Sequence, residues 1–329
     1  MGLLIGMDEA GYGPNLGPLV VTLTVWRVPG DPRQTDLWSA FESVIDQTAQ
    51  RQSSHLHVAD SKHVYSPAKG LANLETAVQT GLRLAGIEAD GFFDLHRRLC
   101  HSPEHDRTEQ DHTEQDHTEH ALVEPWHSAG DLALPCAADL ARVAEFREAW
   151  STCCVAHDVK LTCIASDVVQ PQRFNRLTRQ ADSKGVALTR ISLNLLRRVW
   201  EPDADEPVLV IADKHGGRNR YDGFLDEVLD GQMIFRMQES RSCSKYRIGN
   251  TDIWFQTQAE QHLPVALASM VAKYMRELSM DLFNAFWSRH IPGLRPTRGY
   301  PVDAQRFRSE IAEKQQQLDI CDDILWRTR

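Results

Sequence analysis

Hydrophobic residues occur along this chain both in short continuous runs and in longer stretches at helical spacing. The short runs predict strands at residues 3–7, 19–28, 160–169, 208–212, 233–237 and 253–257. Helical spacing is clearest for Leu71, Leu74, Val78 and Leu82, and helices are predicted at residues 68–84, 137–157, 183–200, 221–229, 264–289 and 302–318. Strands first, and then strands alternating with helices, predict an α/β fold with a mixed β-sheet flanked by helices.

One segment breaks this pattern. The sequence TEQDH at residues 108–112 is repeated at 113–117, and a truncated copy begins at Thr118. Because this tract has too few apolar residues to pack, we expect a disordered surface insertion over residues 96–131. Its histidines could bind a transition metal, although a solvated loop is the simpler interpretation; they are His101, His105, His112, His117 and His120.

Composition narrows the class of protein. The chain has 329 residues, of which 42% are hydrophobic, enough for one large domain with a core that needs no disulfide or structural metal. Its seven cysteines have neither metal-ligand nor disulfide-framework spacing, which suits the reducing cytoplasm. No run approaches the roughly 18 apolar residues that a membrane span needs, so no membrane association is expected.

The net charge of −10 argues mildly against nucleic acid as a partner, because phosphate binding usually leaves a basic footprint. Much of this charge is local, however. Residues 101–120 contain seven acids against one arginine, a net charge of −6. The global charge therefore does not exclude a nucleic-acid substrate.

Carboxylates stand at the ends of two predicted strands. Asp8 and Glu9 end the first and precede glycine-rich chain, and Asp213 ends another, with Gly216 and Gly217 just beyond. A backbone rich in glycine can be approached closely by a ligand, although aspartate also commonly caps turns and helices. If such acids converge, their repulsion calls for cations, and hard oxygen ligands favour Mg²⁺ or Mn²⁺. Two such ions can activate water and stabilise the leaving oxygen of a phosphodiester.

Five motifs resemble, in order, those of the type 2 ribonuclease H family. They are GMDEAGYGPNLGP at residues 6–18, DSK at 60–62, VLVIAD ending at Asp213, QAEQHLPVALASMVAKYMRE from Gln258, and GYP at 299–301. The family's first motif is DEAGRGP followed by GP, and its helix signature is ASxxAK. The resemblance implies a ribonuclease H-like domain whose first part is residues 1–95 and whose remainder is residues 132–290. Residues 291–329 would form a C-terminal helical extension.

The resemblance also implies roles for individual residues. The metal-binding and catalytic set would be Asp8, Glu9, Asp213 and Glu260, holding Mg²⁺ or Mn²⁺. Backbone groups of Gly11, Tyr12 and Gly13 would meet ribose 2′-hydroxyls, by which a protein distinguishes RNA from DNA. Tyr300 would lie against the sugar at an RNA–DNA junction. Lys62 and Lys273 are candidates for contacting phosphate or positioning the acids, and for Lys273 a place on the rim of its helix is an equal alternative.

Three positions depart from the family pattern. Tyr12 replaces an arginine, Glu260 stands where an aspartate is usual, and Gln258 replaces a lysine. Glutamate reaches one methylene further and can still hold a metal. The changes leave metal binding in place and leave the substrate preference open.

A basic run directly after Asp213 has no counterpart among the five motifs; it comprises Lys214, His215, Arg218, Arg220 and Tyr221. Basic residues interleaved with an aromatic suit a phosphate backbone, and Arg218 is the substrate-binding candidate. The alternative is an ordinary charged loop. A second ADSK, at residues 181–184, is interpreted as a helix N-cap formed by Asp182 or Ser183.

The leading hypothesis is a monomeric endonuclease acting on RNA–DNA hybrids or on duplex DNA with embedded ribonucleotides. It would cut the RNA strand, or 5′ of a ribonucleotide, and leave a 3′-hydroxyl and a 5′-phosphate. A ribonuclease H-fold nuclease with another nucleic-acid substrate, and a nucleic-acid-binding protein that does not cut, are the alternatives. Retention of four acids speaks against the last. A nucleotide-binding module is the weakest option, because neither glycine-rich phosphate motif is present.

Overall fold

The structure, a computed structural model, describes residues 1–48, 53–100, 122–128, 130–229 and 231–328. Its strands are β1 Gly2–Ala10, β2 Leu19–Val28, β3 Ile45–Asp46, β4 Leu56–His57, β5 Lys160–Val169, β6 Val208–Asp213, β7 Phe235–Glu239, β8 Cys243–Ile248 and β9 Thr251–Gln256. Its α-helices are α1 Leu37–Ala40, α2 Ser61–Val64, α3 Ala72–Leu84, α4 Phe92–Cys100, α5 Leu140–Ala156, α6 Pro171–Ala181, α7 Lys184–Arg197, α8 Asp222–Leu229, α9 Leu263–His290, α10 Pro301–Gln317 and α11 Asp322–Leu325. Short 3₁₀ helices lie at Pro32–Gln34, Pro125–His127 and Ala259–Gln261.

Seven strands form one sheet in the order β5-β2-β1-β6-β9-β8-β7. Strand β2 runs antiparallel to both β1 and β5, whereas β1, β6 and β9 are parallel to one another. The sequence VLVIAD of β6 is apolar almost throughout because helices cover both faces of the sheet there. The predicted fold class, a mixed sheet flanked by helices, is confirmed.

Helix α9 covers one face of the sheet and packs on β1 and β2. It is apolar around most of its circumference, as a helix surrounded by protein is expected to be. Its first turn presses directly on β1: a Cβ on Gly6 would lie 2.3 Å from the carbonyl carbon of Pro264. Pro264 occupies the first turn, as the sequence predicts. This close approach fixes the end of β1 against α9.

The opposite face of the sheet is covered by a second apolar layer. Leu188 and Ile191 of α7 pack there with Leu225 of α8 against residues of β1, β2 and β6. Ser183 caps α7 by accepting a hydrogen bond from Val186 N at 3.4 Å, as the second ADSK predicts. Asp182 instead ends α6 in the left-handed conformation.

Several elements escape the pattern of the sequence, namely helices α1, α2, α4, α6 and α11 and strands β3, β4 and β8. Helix α6 was not predicted because PQRFNRLTRQA is dominated by polar residues, with only one face buried. Strand β8 was missed because its buried side chains alternate over only six residues and include the polar Ser244. The predicted strand at 233–237 begins two residues later, at Phe235.

The repeat tract, with the five histidines named above, lies outside the described residues. Its described flanks are packed: α4 runs to Cys100, and Trp126 is buried with its ring 5.0 Å from that of Phe283. Helices α10 and α11 pack with the end of α9 in a third apolar cluster that includes Phe307 and Leu325. The division into segments at residues 95, 131 and 290 stays a prediction. In the part of the chain that the structure describes, every helix is too short or too polar to cross a bilayer.

Candidate active site

Asp8 and Asp213 lie side by side where the pairing of β1 with the parallel strand β6 ends. The last paired residues of β1 and β6 are Met7 and Ala212, and each aspartate follows directly. Because side chains alternate along a strand, both aspartates point to the face covered by α9, whereas Glu9 points to the opposite face. Ser269 on α9 lies within hydrogen-bonding reach of Asp8.

Glu260 reaches the same place from β9. This strand pairs with β6 up to Gln256 beside Asp213, and the chain then turns through Gln258, whose φ of 59° is left-handed. The following 3₁₀ helix directs the backbone N–H of Ala259 to the carboxylate of Asp213 and places Glu260 within its electrostatic reach. The four predicted acids are therefore at one end of the sheet.

The electrostatics of these acids reflect burial and mutual repulsion. Burial is the main reason that the pKa of Asp8 rises to about 7, and the nearby charges of Asp213 and Asp60 raise it further. Burial, followed by the charges of Asp8 and Asp213, raises the pKa of Glu9 well above its ordinary value. Burial and Glu260 likewise raise the pKa of Asp213. These carboxylates are short of compensating positive charge.

Lys62 is the cation that faces this group. Its ammonium lies 3.7 Å from a carboxylate oxygen of Asp60, and its side chain is 86% exposed. Partial burial lowers the pKa of Lys62, but the surrounding carboxylates outweigh that effect and raise it. The carboxylates that act on it are Asp60, Asp8, Glu260 and Asp213. Lys62 therefore stands at the open side of the site.

Sequence reasoning missed two members of the site. Asp60 caps α2 by accepting a hydrogen bond from Lys62 N at 3.0 Å, and it adds a fifth carboxylate beside Asp8. Ser269 also contacts Ser61, with 3.1 Å between their hydroxyl oxygens, and thus links α9 to α2 beneath Asp8. Both residues lie inside motifs already singled out, but spacing alone did not bring them to Asp8. The acidic cluster, as the term is used below, comprises Asp8, Glu9, Asp60, Asp213 and Glu260.

The donor set of the acidic cluster suits a hard divalent cation. It offers only carboxylate oxygens, which Mg²⁺ and Mn²⁺ prefer, and a bound cation would relieve the repulsion that raises the pKa values. Among the described residues, no three His, Cys, Asp or Glu side chains are already arranged around a common point. Binding an ion would therefore require carboxylates to turn toward one another.

The glycine loop, residues 11–18, borders the acidic cluster and is held by two buried arginines. Arg327, near the C-terminus, donates hydrogen bonds to the carbonyls of Gly11 and Pro14. Arg276 on α9 donates to Leu16 O at 3.3 Å. Gly11 adopts a φ of 90°, and a Cβ there would lie 2.6 Å from Nε of Arg276, so no larger residue fits. The loop is fixed from both sides.

The other two predicted substrate residues of this region are at the surface. Gly13 is exposed and has open space around its Cα. Tyr300 is 53% exposed, and the carbonyl of the preceding Gly299 accepts a hydrogen bond from Asn15 N at 2.7 Å. This bond joins the turn carrying Tyr300 to the glycine loop.

The basic run after Asp213 is mostly interior, so Lys214, His215 and Tyr221 fit neither phosphate contact nor an ordinary charged loop. Lys214 is buried and its ammonium lies within hydrogen-bonding distance of four oxygens, among them Ser240 O at 2.6 Å and Ser244 Oγ at 3.1 Å. Burial also lowers the pKa of His215 to about 3, so this histidine is neutral. Tyr221 is fully buried and stacks on Phe255. Local sequence could not reveal these tertiary contacts.

The two arginines of the run differ from these buried residues. Arg220 has a side chain 80% exposed and lies 3.6 Å from Glu239. Arg218 is half-buried, with its guanidinium 4.4 Å from the centre of the Phe224 ring, and it acts electrostatically on Tyr12. Arg218 is therefore the cation of this run that reaches the glycine loop.

Lys273 is part of a buried ionic network centred on Glu277. Its ammonium lies 2.6 Å from Glu277, which also accepts hydrogen bonds from Tyr65 at 2.7 Å and pairs with Arg298 at 2.6 Å. The ammonium also lies 4.9 Å from the centre of the Tyr65 ring. Lys273 was considered either for contacting phosphate or positioning the acids, or as a lysine on the rim of its helix. In the structure its ammonium is paired with Glu277 of the same helix.

Comparison with known proteins finds distant structural likenesses. No protein-family profile matches the chain, and no curated protein matches it significantly. RNase HII in the PCNA:RNase HII complex from Archaeoglobus fulgidus is 13% identical with a TM-score of 0.41, over 99% of this chain and 94% of that one. Ribonuclease H2 from Pyrococcus horikoshii OT3 is 14% identical with a TM-score of 0.44, over 98% and 92%. Bst-RNase HIII, solved in complex with Mn²⁺, is 16% identical with a TM-score of 0.36, over 99% and 66%. Likenesses of this strength carry no assignment of function.

Proposed function

We propose that this protein is a metal-dependent nuclease that hydrolyses RNA paired with DNA. The observation that carries the proposal is the convergence of five carboxylates beside the parallel strands β1 and β6, faced among the described residues by the ammonium of Lys62. Placing so many like charges together in half-buried positions is costly, so a purely structural role would be hard to explain. Divalent cations bound at this position would neutralise the carboxylates and so remove their repulsion.

Mg²⁺ or Mn²⁺ would be held by Asp8, Glu9, Asp213 and Glu260. When bound, such ions lower the pKa of a bound water and stabilise the leaving oxygen of a phosphodiester. The protein's own contribution is orientation: the backbone N–H of Glu9 donates to Asp8, and Ser269 on α9 lies beside the same carboxylate. Asp60, by position and charge, would keep the Lys62 ammonium directed at the site.

The substrate-binding residues surround these acids. Lys62, being exposed, would contact a phosphate beside the cut. The fixed backbone of Gly11, Tyr12 and Gly13 would meet ribose 2′-hydroxyls, and Tyr300 would lie against a sugar. We place Arg218 in the same surface. The substrates would be RNA–DNA hybrid or duplex DNA with embedded ribonucleotides, and the products would carry a 3′-hydroxyl and a 5′-phosphate.

We further place the protein in the cytoplasm, acting as a monomer. All seven cysteines are free thiols, and burial raises the pKa of several, including Cys100 and Cys154, each to about 12. Buried protonated thiols suit a reducing compartment.

A panel of labelled duplexes of one sequence tests the reaction class. The panel contains RNA–DNA, DNA with one ribonucleotide, DNA–DNA and RNA–RNA, each incubated with Mg²⁺ and with Mn²⁺. Cutting confined to the first two, with 3′-hydroxyl ends, would support the proposal. Cutting of DNA–DNA or RNA–RNA at a comparable rate would contradict the requirement for RNA paired with DNA.

Tyr12 favours a second candidate, a nuclease of the same kind with shifted specificity. Its side chain packs partly into the core and its hydroxyl lies among Gly185, Gly216 and Arg218 rather than in open solvent. With Tyr12 in this position, the glycine loop presents different groups to a substrate than it would with an arginine there. Preferred cutting of a structured or branched duplex over the simple hybrid would favour this candidate, and tight binding without any cutting would favour a non-catalytic binder.

A further inference from the structure

The start of α7 forms a small cradle on the sheet face to which Glu9 points. The position that a Cβ on Gly185 would occupy lies 3.7 Å from Nη2 of Arg218, 3.8 Å from the hydroxyl of Tyr12 and 3.9 Å from Oγ of Ser183. All three groups can donate hydrogen bonds. The three donor groups therefore converge beside the backbone of Gly185, where no side chain separates them.

Arg218 has donor capacity that the protein itself does not use. Its buried Nε has no hydrogen-bond partner, and in the described part of the chain no carboxylate pairs with its guanidinium. The ring of Phe224 supports the guanidinium plane from one side. By contrast, the neighbouring Arg220 is 3.6 Å from Glu239.

The other two donors have the right chemistry for an anion. The Ser183 hydroxyl accepts from Val186 N, so its own hydrogen remains free to donate. The Tyr12 hydroxyl lies 3.6 Å from the Cβ position of Gly216 and is thus enclosed between two glycines. The N-terminus of the 14-residue helix α7 lies at the same point, and its partial positive charge adds to the attraction of these side chains for an anion.

We propose that Arg218, Tyr12 and Ser183 form a subsite for one backbone phosphate of the nucleic acid. A guanidinium and two hydroxyls around a small space match the oxygens of a phosphodiester better than they match a base or a sugar. The subsite lies on the Glu9 side of β1, and Lys62 lies on the Asp60 side of the acidic cluster. The strand would therefore be held on both sides of the reacting phosphate. This inference rests on the proposed function.

The test is binding of a labelled RNA–DNA duplex to the full chain without divalent ions, so that no cutting intervenes. We expect Arg218→Ala to raise Kd about tenfold and to reduce the slope of log Kd against log salt by about one. Arg220→Ala is the matched control, since it removes an equal charge two residues away, and we expect little change. Thermal melting checks that each variant is folded.

Duplexes carrying one neutral methylphosphonate at successive positions then identify the phosphate. For the parent chain, one position should weaken binding about tenfold through loss of this contact. In Arg218→Ala, a methylphosphonate at that same position should not raise Kd any further. In Tyr12→Phe, which keeps the ring, the increase in Kd at that position should be smaller than for the parent. The subsite would be overturned if the effects of Arg218→Ala and of the methylphosphonate on Kd were independent at every position. It would also be overturned if Arg218→Ala bound the duplex like the parent.

The failures can be told apart. If the parent cuts and binds the hybrid while Arg218→Ala is unchanged, the subsite alone is wrong. If the parent neither binds nor cuts any duplex, the proposed function is wrong and the subsite falls with it.

Discussion

Asp8 and Asp213 each follow the last paired residue of two hydrogen-bonded parallel strands, Met7 on β1 and Ala212 on β6. Neighbouring strands are about 4.8 Å apart, so the backbone itself brings these carboxylates together. Their proximity does not depend on a long flexible side chain. Packing of Pro264 against Gly6 holds the end of β1 in this place.

Replacement of Asp8 by asparagine should stabilise the metal-free protein while it abolishes cutting. The substitution removes a charge that burial and two neighbouring acids disfavour. We expect the free energy of unfolding to rise by about 1 kcal/mol in the presence of a chelator. We expect the cutting rate to fall by at least two orders of magnitude. Denaturant unfolding measures the free energy of unfolding, and cutting of the hybrid measures the rate. Asp226→Asn, at an exposed position, is the control. An Asp8→Asn protein that is less stable than the parent would contradict this prediction.

Mg²⁺ or Mn²⁺ should stabilise the folded protein against unfolding. A ligand that binds only the native state adds about 2.7 kcal/mol at a hundred times its Kd. Melting curves with increasing Mn²⁺ should therefore shift upward for the parent and for Asp226→Asn, and far less for Asp213→Asn. An equal shift in Asp213→Asn would locate the ion elsewhere.

Glu277 should stabilise the protein in a pH-dependent way. Although burial opposes it, the charges of Lys273 and Arg298 hold the pKa of Glu277 below its usual value. A depressed folded pKa gives stability that is present above the unfolded pKa, about 4.3, and is lost as pH falls through the folded pKa. Glu277→Gln should cost about 2–4 kcal/mol at pH 7, a deficit that shrinks below about pH 4. Urea unfolding at several pH values checks this; a deficit independent of pH would show that the charge is not involved.

Arg327 should matter more for activity than for stability. Among the described residues no acid pairs with its buried guanidinium, and burial, with the nearby charge of Arg276, lowers the pKa of Arg327 to about 9. Arg327→Met would remove a costly buried charge but release the carbonyls of Gly11 and Pro14. We expect melting to change little and kcat/KM to fall about tenfold or more through a displaced loop. Arg308→Met, an exposed arginine on α10 that pairs with Asp322, is the control; an equal loss in both variants would argue against a positioning role.

Local pattern was enough to predict much of the fold. Largely apolar runs placed β2 and β5 at their observed bounds, although both strands also bury polar residues, among them Thr22, Thr24, Ser166 and Asp167. Asp213 ends β6 as local sequence predicts, whereas Asp8, which was predicted to end the first strand, is followed within β1 by Glu9 and Ala10. The meeting of Asp8 and Asp213 required the register of β1 with β6, which spacing alone does not contain.

What could not be predicted depends on contacts between distant parts of the chain. Arg327 reaches Gly11 across 316 residues, and no local signal marks it. Lys214 has the sequence context of a surface lysine, yet four oxygens from later turns and strands surround it. Asp60 joins Asp8 only because the Ser61–Ser269 contact ties α2 to α9. Such positions become visible only when the sheet and α9 are assembled.

Cutting of one RNA–DNA hybrid by the parent, Asp213→Asn and Asp226→Asn, each with a chelator, Mg²⁺ or Mn²⁺, tests the central claim most directly. The account predicts cutting by the parent and by Asp226→Asn with a divalent ion only, and no cutting by Asp213→Asn under any condition. Cutting that persists in the chelator, or in a well-folded Asp213→Asn, would contradict a metal-dependent reaction at this cluster of acids.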